Sequence, residues 1–291
     1  MTRVSHVQAL RDFLLAGAIL LIALSAIAVM YTRKDYPCPV CGKTVTVSEM
    51  CSWGPYVYDR PSKYDLVFPP YSEPQGFWMC GACGYAQTAR DFLTIAPDDA
   101  RKLRDALAAE WTPIASDGIT FAHRLERALR TNEILGRDDD FWLWFYRALA
   151  YNYQSIDPDK AREFAKREIE LLEAEAPAGD LTKKQRLYLL GEYHRRLGDV
   201  DIARRYLASA LRKNPLCWLL LAVAGGAALG AVIAQRICRR RSTRIAAFVA
   251  AFLVVVAAGF EYSRLSRTDP YLDEIVKDRL QLIKSGESSV P

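Results

Sequence analysis

The chain has 291 residues, with 39 Lys and Arg against 34 Asp and Glu, for a formal charge of +5. That excess is modest and much of it sits beside apolar runs, so it does not argue for nucleic acid as the partner. Only His6, His123 and His194 are available for histidine chemistry, and no nucleophile–base pair, phosphate-binding glycine loop or open zinc site is evident, so an enzyme is not the expected reading.

In chain order, residues 1–12 form an N-terminal segment carrying Arg3 and Arg11, and 13–31 is an uncharged run of 19 positions, long enough for a transmembrane helix or signal anchor. Ala26, Ile27 and Ala28 also fit a cleavage pattern, so residues 1–28 have a second reading as a signal peptide.

Residues 32–96 carry the chemistry. Cys38 and Cys41 stand in CPVCGK, and Cys80 and Cys83 in CGACGY. A CxxC turn lets two thiolates converge on one ion, and the following Gly42 and Gly84 suit a chain that folds back with positive φ. The four cysteines are expected to form one four-thiolate metal site, structural zinc in a split ribbon-like module, with Lys43 to Val47 and Asp65 to Phe68 extended and Phe77 to Met79 leading back to the first knuckle. Three other fates remain open for them: disulfides, a rubredoxin-like iron site and, more weakly, a thioredoxin-like redox motif. Cys51 is not expected to be a ligand.

From residue 97 to 214 the periodicity becomes helical. Leu103, Leu107 and Trp111 make one stripe and Phe121, Leu125 and Leu129 another, while FWLWFYRALAYNY at 141–153 is aromatic enough to demand enclosure. Asp157 before Pro158, and Thr182 with Gln185, read as helix starts. In residues 187–215, Leu190, Gly191, Ala203, Leu207, Ala210 and Pro215 fall in the register of a tetratricopeptide repeat.

Residues 215–235 form a second uncharged run of 21 positions and 245–260 a third of 16, joined by a basic loop, 236–244. Arg236, Arg239, Arg240 and Arg241 in that loop favour a cytoplasmic placement, which puts residues 32–214 outside the cytoplasm; the cytoplasmic face is the alternative. Gly226 and Gly230 make a small-xxx-small pair suited to homo-oligomer contact. The tail, 261–291, has an apolar stripe of Leu272, Ile275, Val276, Leu280 and Ile283 that needs a surface to cover.

The order CPVCG, YDLVFPPY, CGACGYAQTARDF and YLLGEYHRRLGD resembles an uncharacterised bacterial family that joins a split CxxC zinc ribbon to tetratricopeptide-like helices. The likeness covers roughly Cys38 to Asn214. It implies metal at Cys38, Cys41, Cys80 and Cys83 and no established reaction, and the chain departs from it in its three expected spans.

The fold class expected is therefore a mainly α membrane protein: a small β zinc-ribbon-like module, tetratricopeptide-like hairpins and three transmembrane helices. Its expected function is a membrane-anchored scaffold or adaptor that binds a protein partner in or near the membrane. The alternatives are a rubredoxin-like iron electron-transfer protein and a cytoplasmic nucleic-acid-binding zinc ribbon.

Overall fold

The computed structural model describes residues 30–52, 60–174, 181–211 and 270–286, with helical positions at 222, 225, 226, 229, 232, 250 and 252–257. The chain divides into two compact units after Leu181.

The first unit opens with two antiparallel hairpins. Strands β1 (Met30–Pro37) and β2 (Thr44–Ser52) flank the first CxxC turn, and β3 (Phe77–Met79) and β4 (Ala86–Thr88) flank the second. In β2, buried Val45 and Val47 alternate with exposed Thr44 and Thr46, the pattern of a strand with one dry face. Antiparallel pairs alternate between positions bonded to the partner strand and positions whose backbone groups point away. Because Cys38 N–H donates to the Lys43 carbonyl at 2.8 Å, the bonded positions are those of Tyr36 and Val45, then Lys34 and Val47. Pro37 falls at a position between them, where a missing N–H breaks no ladder bond.

Four helices follow: α1 (Pro97–Ala108), α2 (Phe121–Leu135), α3 (Asp139–Tyr153) and α4 (Pro158–Glu173). Their starts are written locally. Thr120 and His123 form a reciprocal capping box on α2, Asp138 caps α3, and Asp157 caps α4 with Pro158 at its first turn. The core behind the two hairpins joins Val45, Val47, Trp78, Tyr85 and Phe92 to Leu103 and Leu107 of α1. Tyr36 stacks on Trp78 with ring centroids 5.6 Å apart. The aromatic segment 141–153 is enclosed within the same unit: Phe145 lies 6.4 Å from Phe77, Trp144 5.1 Å from Tyr71, and Tyr153 5.5 Å from Phe164 of α4.

The second unit contains α5 (Lys183–Leu197), α6 (Val200–Ala210) and α7 (Pro270–Ser285). Thr182 and Gln185 form the capping box of α5, and Gly198, at φ +91°, ends it before α6. A Cβ placed on Gly191 would stand 2.6 Å from Leu207 Cγ and 3.2 Å from the Ala203 carbonyl, so these two helices approach at a distance only glycine permits. Helix α7 packs on α5 and α6, burying Leu272, Ile275, Val276 and Ile283 of the tail stripe; Leu280 is less covered. Lys184 pairs with Asp273 at 2.6 Å across that contact.

The structure corrects the membrane reading. Among the described residues no helix is long and apolar enough to cross a membrane. The longest, α4 and α7, have 16 residues, about 24 Å at 1.5 Å per residue against a hydrocarbon core of about 30 Å, and both carry charged faces. The integral-membrane fold class, the three transmembrane helices and the extracytoplasmic localisation built on them are therefore not supported. The run 13–31, all but its last two residues, the basic loop 236–244 and most of 215–235 and 245–260 lie outside the described residues, as does Gly230. At Gly226 a Cβ would meet nothing within 4 Å. A second correction concerns the insert between the knuckles. Asp65 to Phe68 is not extended, because Pro61–Asp65 winds into a 3-10 turn closed by Leu66 at φ +52°.

Candidate metal centre

The two CxxC turns are the same backbone device built twice. In the first, Cys38 N–H donates to the Lys43 carbonyl and Gly42 N–H to the Cys38 carbonyl, both at 2.8 Å. In the second, Cys80 N–H donates to the Tyr85 carbonyl at 2.8 Å and Gly84 N–H to the Cys80 carbonyl at 2.9 Å. Gly42 at φ +74° and Gly84 at φ +71° make each reversal in the left-handed region, as their place after the second cysteine predicts.

The folded hairpins bring Cys38, Cys41, Cys80 and Cys83 together, with all four sulfurs within 4.8 Å of one another. The short distances run between knuckles: Cys38 Sγ to Cys83 Sγ is 3.7 Å and Cys41 Sγ to Cys80 Sγ is 3.6 Å. Sulfurs bound tetrahedrally at 2.3 Å to a shared zinc would stand about 3.8 Å apart. The thiols are free, and the cluster is arranged in a way that could hold a metal ion. Cys51 is exposed on β2, with Sγ 3.7 Å from the Glu49 carbonyl, and takes no part. Cys217 and Cys238 lie outside the described residues.

Four thiols this close cannot ionise independently. Cys80 is drawn down to about 2, first by the hydrogen bond from Cys38 and then by that from Cys83; amide groups of Cys83 and Ala82 add to the effect. Its neighbours hold the protons: Cys38 is pushed up to about 12, foremost by its hydrogen bond to Cys80, and Cys83 is pushed up by its bonds to Cys38 and Cys80 and by burial. A cation at the centre would replace those shared protons.

Two arginines brace the knuckles from the helices. Arg104 of α1 donates Nε to the Val40 carbonyl at 2.7 Å, and Arg127 of α2 donates Nε to the Gly84 carbonyl at 3.1 Å. Trp111 closes over the second turn. Its indole N–H donates to the Gly81 carbonyl at 2.8 Å, and the Arg127 guanidinium lies over its ring at 5.1 Å. Sequence periodicity reads Trp111 as the next step of a helical stripe, but α1 ends at Ala108 and Trp111 packs on Gly84 instead. Neither arginine has a sequence signal, since each acts on a carbonyl more than 40 positions away.

His194 is buried in α5, with Nδ1 3.1 Å from Asp199 and its ring stacked on Tyr206.

One family model matches residues 31–131. It is described as an uncharacterised protein conserved in bacteria (DUF2225), and the matched stretch contains both knuckles, Arg104, Trp111 and Arg127. No curated protein and no solved structure matches the chain.

Proposed function

We propose that the protein is a metal-stabilised scaffold, in which Cys38, Cys41, Cys80 and Cys83 hold one structural zinc ion and the module so closed is offered to a protein partner. The observation that carries this reading is the cross-knuckle spacing of 3.6 and 3.7 Å in a set of four free thiols. Four protein ligands leave no open coordination position, which suits a structural ion and not a catalytic one. Each hairpin buries few residues, so ligation would supply much of the free energy that holds one against the other.

The test is metal analysis of the purified full chain. One zinc per chain in a colourless protein is the expected result, lost when Cys38→Ser and Cys80→Ser are combined. Iron with a reversible redox signal would replace the scaffold with an electron carrier on the same ligands, and unchanged metal content in the double variant would reject the shared site.

A further inference from the structure

The two hairpins leave two strand edges facing one cavity. Thr44–Ser48 of β2 and Phe77–Ala82, which includes β3, line a cavity of about 310 Å³, and β2 and β3 are not hydrogen-bonded to each other. The alternation set by Cys38 and Lys43 turns the backbone N–H and C=O groups of Thr44, Thr46 and Ser48 away from β1. The same rule applies to the second hairpin. Cys80 bonds Tyr85 and Gly76 bonds Ala89, so Trp78 is the position bonded to β4 and Met79 points away from it.

The other edge of that hairpin is treated differently. On β4, the outward N–H of Ala86 reaches Thr131 Oγ1 and that of Thr88 reaches Gln87 Oε1, so side chains close it. Phe77 N–H turns to the Pro74 carbonyl. The Phe77 carbonyl, both backbone groups of Met79 and the three outward positions of β2 have no comparable partner among the described residues. An unclosed strand edge is a template for another strand.

Charge narrows the occupant. The cavity lining has no carboxylate, and its one cationic side chain is Arg124, which donates to the Pro74 carbonyl at 3.0 Å and has no carboxylate partner among the described residues. Its lining includes Thr44 and Thr46, both exposed. Five residues of β2 span roughly 13 Å, a length for about four residues of an added strand.

We propose that this groove receives an extended segment of a partner protein, bearing an acidic side chain, which adds as a strand to β2 and β3 and places its carboxylate on Arg124. The mode is strand addition: main-chain hydrogen bonds supply affinity and the charge supplies register. This deepens the scaffold reading by naming the surface, and it rests on that reading only in that the ion holds β2 against β3.

The experiment titrates the zinc-loaded full chain, by calorimetry, with a panel of end-blocked synthetic peptides of alternating β-branched residues with glutamate at each position in turn. Saturable binding is expected for the peptides that match the Arg124 register. N-methylation of alternate backbone amides should weaken it by about tenfold or more, and Glu to Gln in the peptide by about threefold to tenfold. Arg124→Gln should abolish that Glu/Gln difference, and Thr46→Pro, which removes one outward N–H but no backbone bond to β1, should weaken every peptide, whereas Thr46→Val, which removes only the Thr46 Oγ1 bond to Asp35, should not.

No saturable binding across the panel, indifference to N-methylation, or a dimer of this chain that occupies the β2 edge and excludes peptide would each overturn the proposal. Zinc content is measured on every sample. Zinc present with no peptide bound removes the groove alone, whereas peptide bound without zinc removes the metal reading alone.

Discussion

The knuckle module and the α5–α7 unit hold themselves together by opposite means. In the first, two short hairpins meet at four sulfurs, and the apolar core behind them is completed by α1, with Ile134 and Leu135 of α2 packed against it. In the second, packing is direct. Gly191 admits Leu207, the stripe of α7 is buried, and Glu192, with no exposed surface, accepts from Arg195 Nε at 2.9 Å and Arg196 Nε at 2.8 Å and lies 3.3 Å from Arg279 Nε of α7. A domain short of apolar area can use an ion as its centre, whereas a unit with three packed helices can bury charge of its own.

The sharpest way to break this comparison is to remove two of the four clustered thiols. Combining Cys38→Ser with Cys80→Ser should cost several kcal/mol, on the order of 5, within the knuckle module. Limited proteolysis should then cut residues 30–96 while a fragment containing α5 to α7 persists; equal loss of both would show that the two are not independent.

Glu192→Ala tests the other side. It leaves three arginines facing a buried vacancy and should cost about 3–5 kcal/mol, read by urea unfolding, with zinc content unchanged.

A second buried glutamate sharpens the contrast through pH. Glu168 of α4 is fully buried, and neither carboxylate oxygen has a hydrogen-bond partner among the described residues. Burial raises it to about 8, with Arg147 pulling it down and Asp65 pushing it up. Its acid is thus stronger in the unfolded chain. Between an unfolded pKa near 4.5 and a folded value of about 8, the folded state binds more protons, so its contribution falls as pH rises, with a limiting slope of ~1.4 kcal/mol per pH unit. Glu192 runs the other way: burial pushes it up, but Arg196, Arg195 and Arg279 together outweigh it and hold it below its usual value. That stability is present above the unfolded pKa and lost as pH falls through the folded one. Glu168→Gln should flatten the decline between about pH 5 and 8 in thermal melts, and a slope identical to the parent chain would count against a buried proton there.

The smallest difference separates the knuckles themselves. A Cβ on Gly42 would meet nothing within 4 Å, but on Gly84 it would stand 2.6 Å from Trp111 Cγ. Gly42→Ala should cost about 1–2 kcal/mol from left-handed strain alone, and Gly84→Ala about 1–3 kcal/mol more from the clash. Competition with a chelator would rank the two by zinc retention.

Much of the candidate site was legible because its signals are local. The CxxC spacing, the glycine after each knuckle, the Thr182–Gln185 box and the Asp157–Pro158 start all act within four residues, where backbone sterics and capping decide the conformation. Trp111 was misread because a four-residue step after Leu103 and Leu107 says nothing about where α1 stops. The extended reading of Asp65 to Phe68 weighed β-favouring side chains without the turn set by Pro61. The membrane reading rested on the apolar length of three runs and on the arginines between the last two.

By itself the sequence determined which residues turn, which cap and which four cysteines sit in CxxC turns, because these depend on neighbours along the chain. The shared site was an expectation of the sequence; only the tertiary structure brought the four sulfurs within 4.8 Å of one another, and only it decided that Arg104 and Arg127 brace the knuckles and that β2 and β3 stop short of pairing. Those outcomes depend on side chains and strand edges meeting across tens of residues, where no local rule specifies the partner.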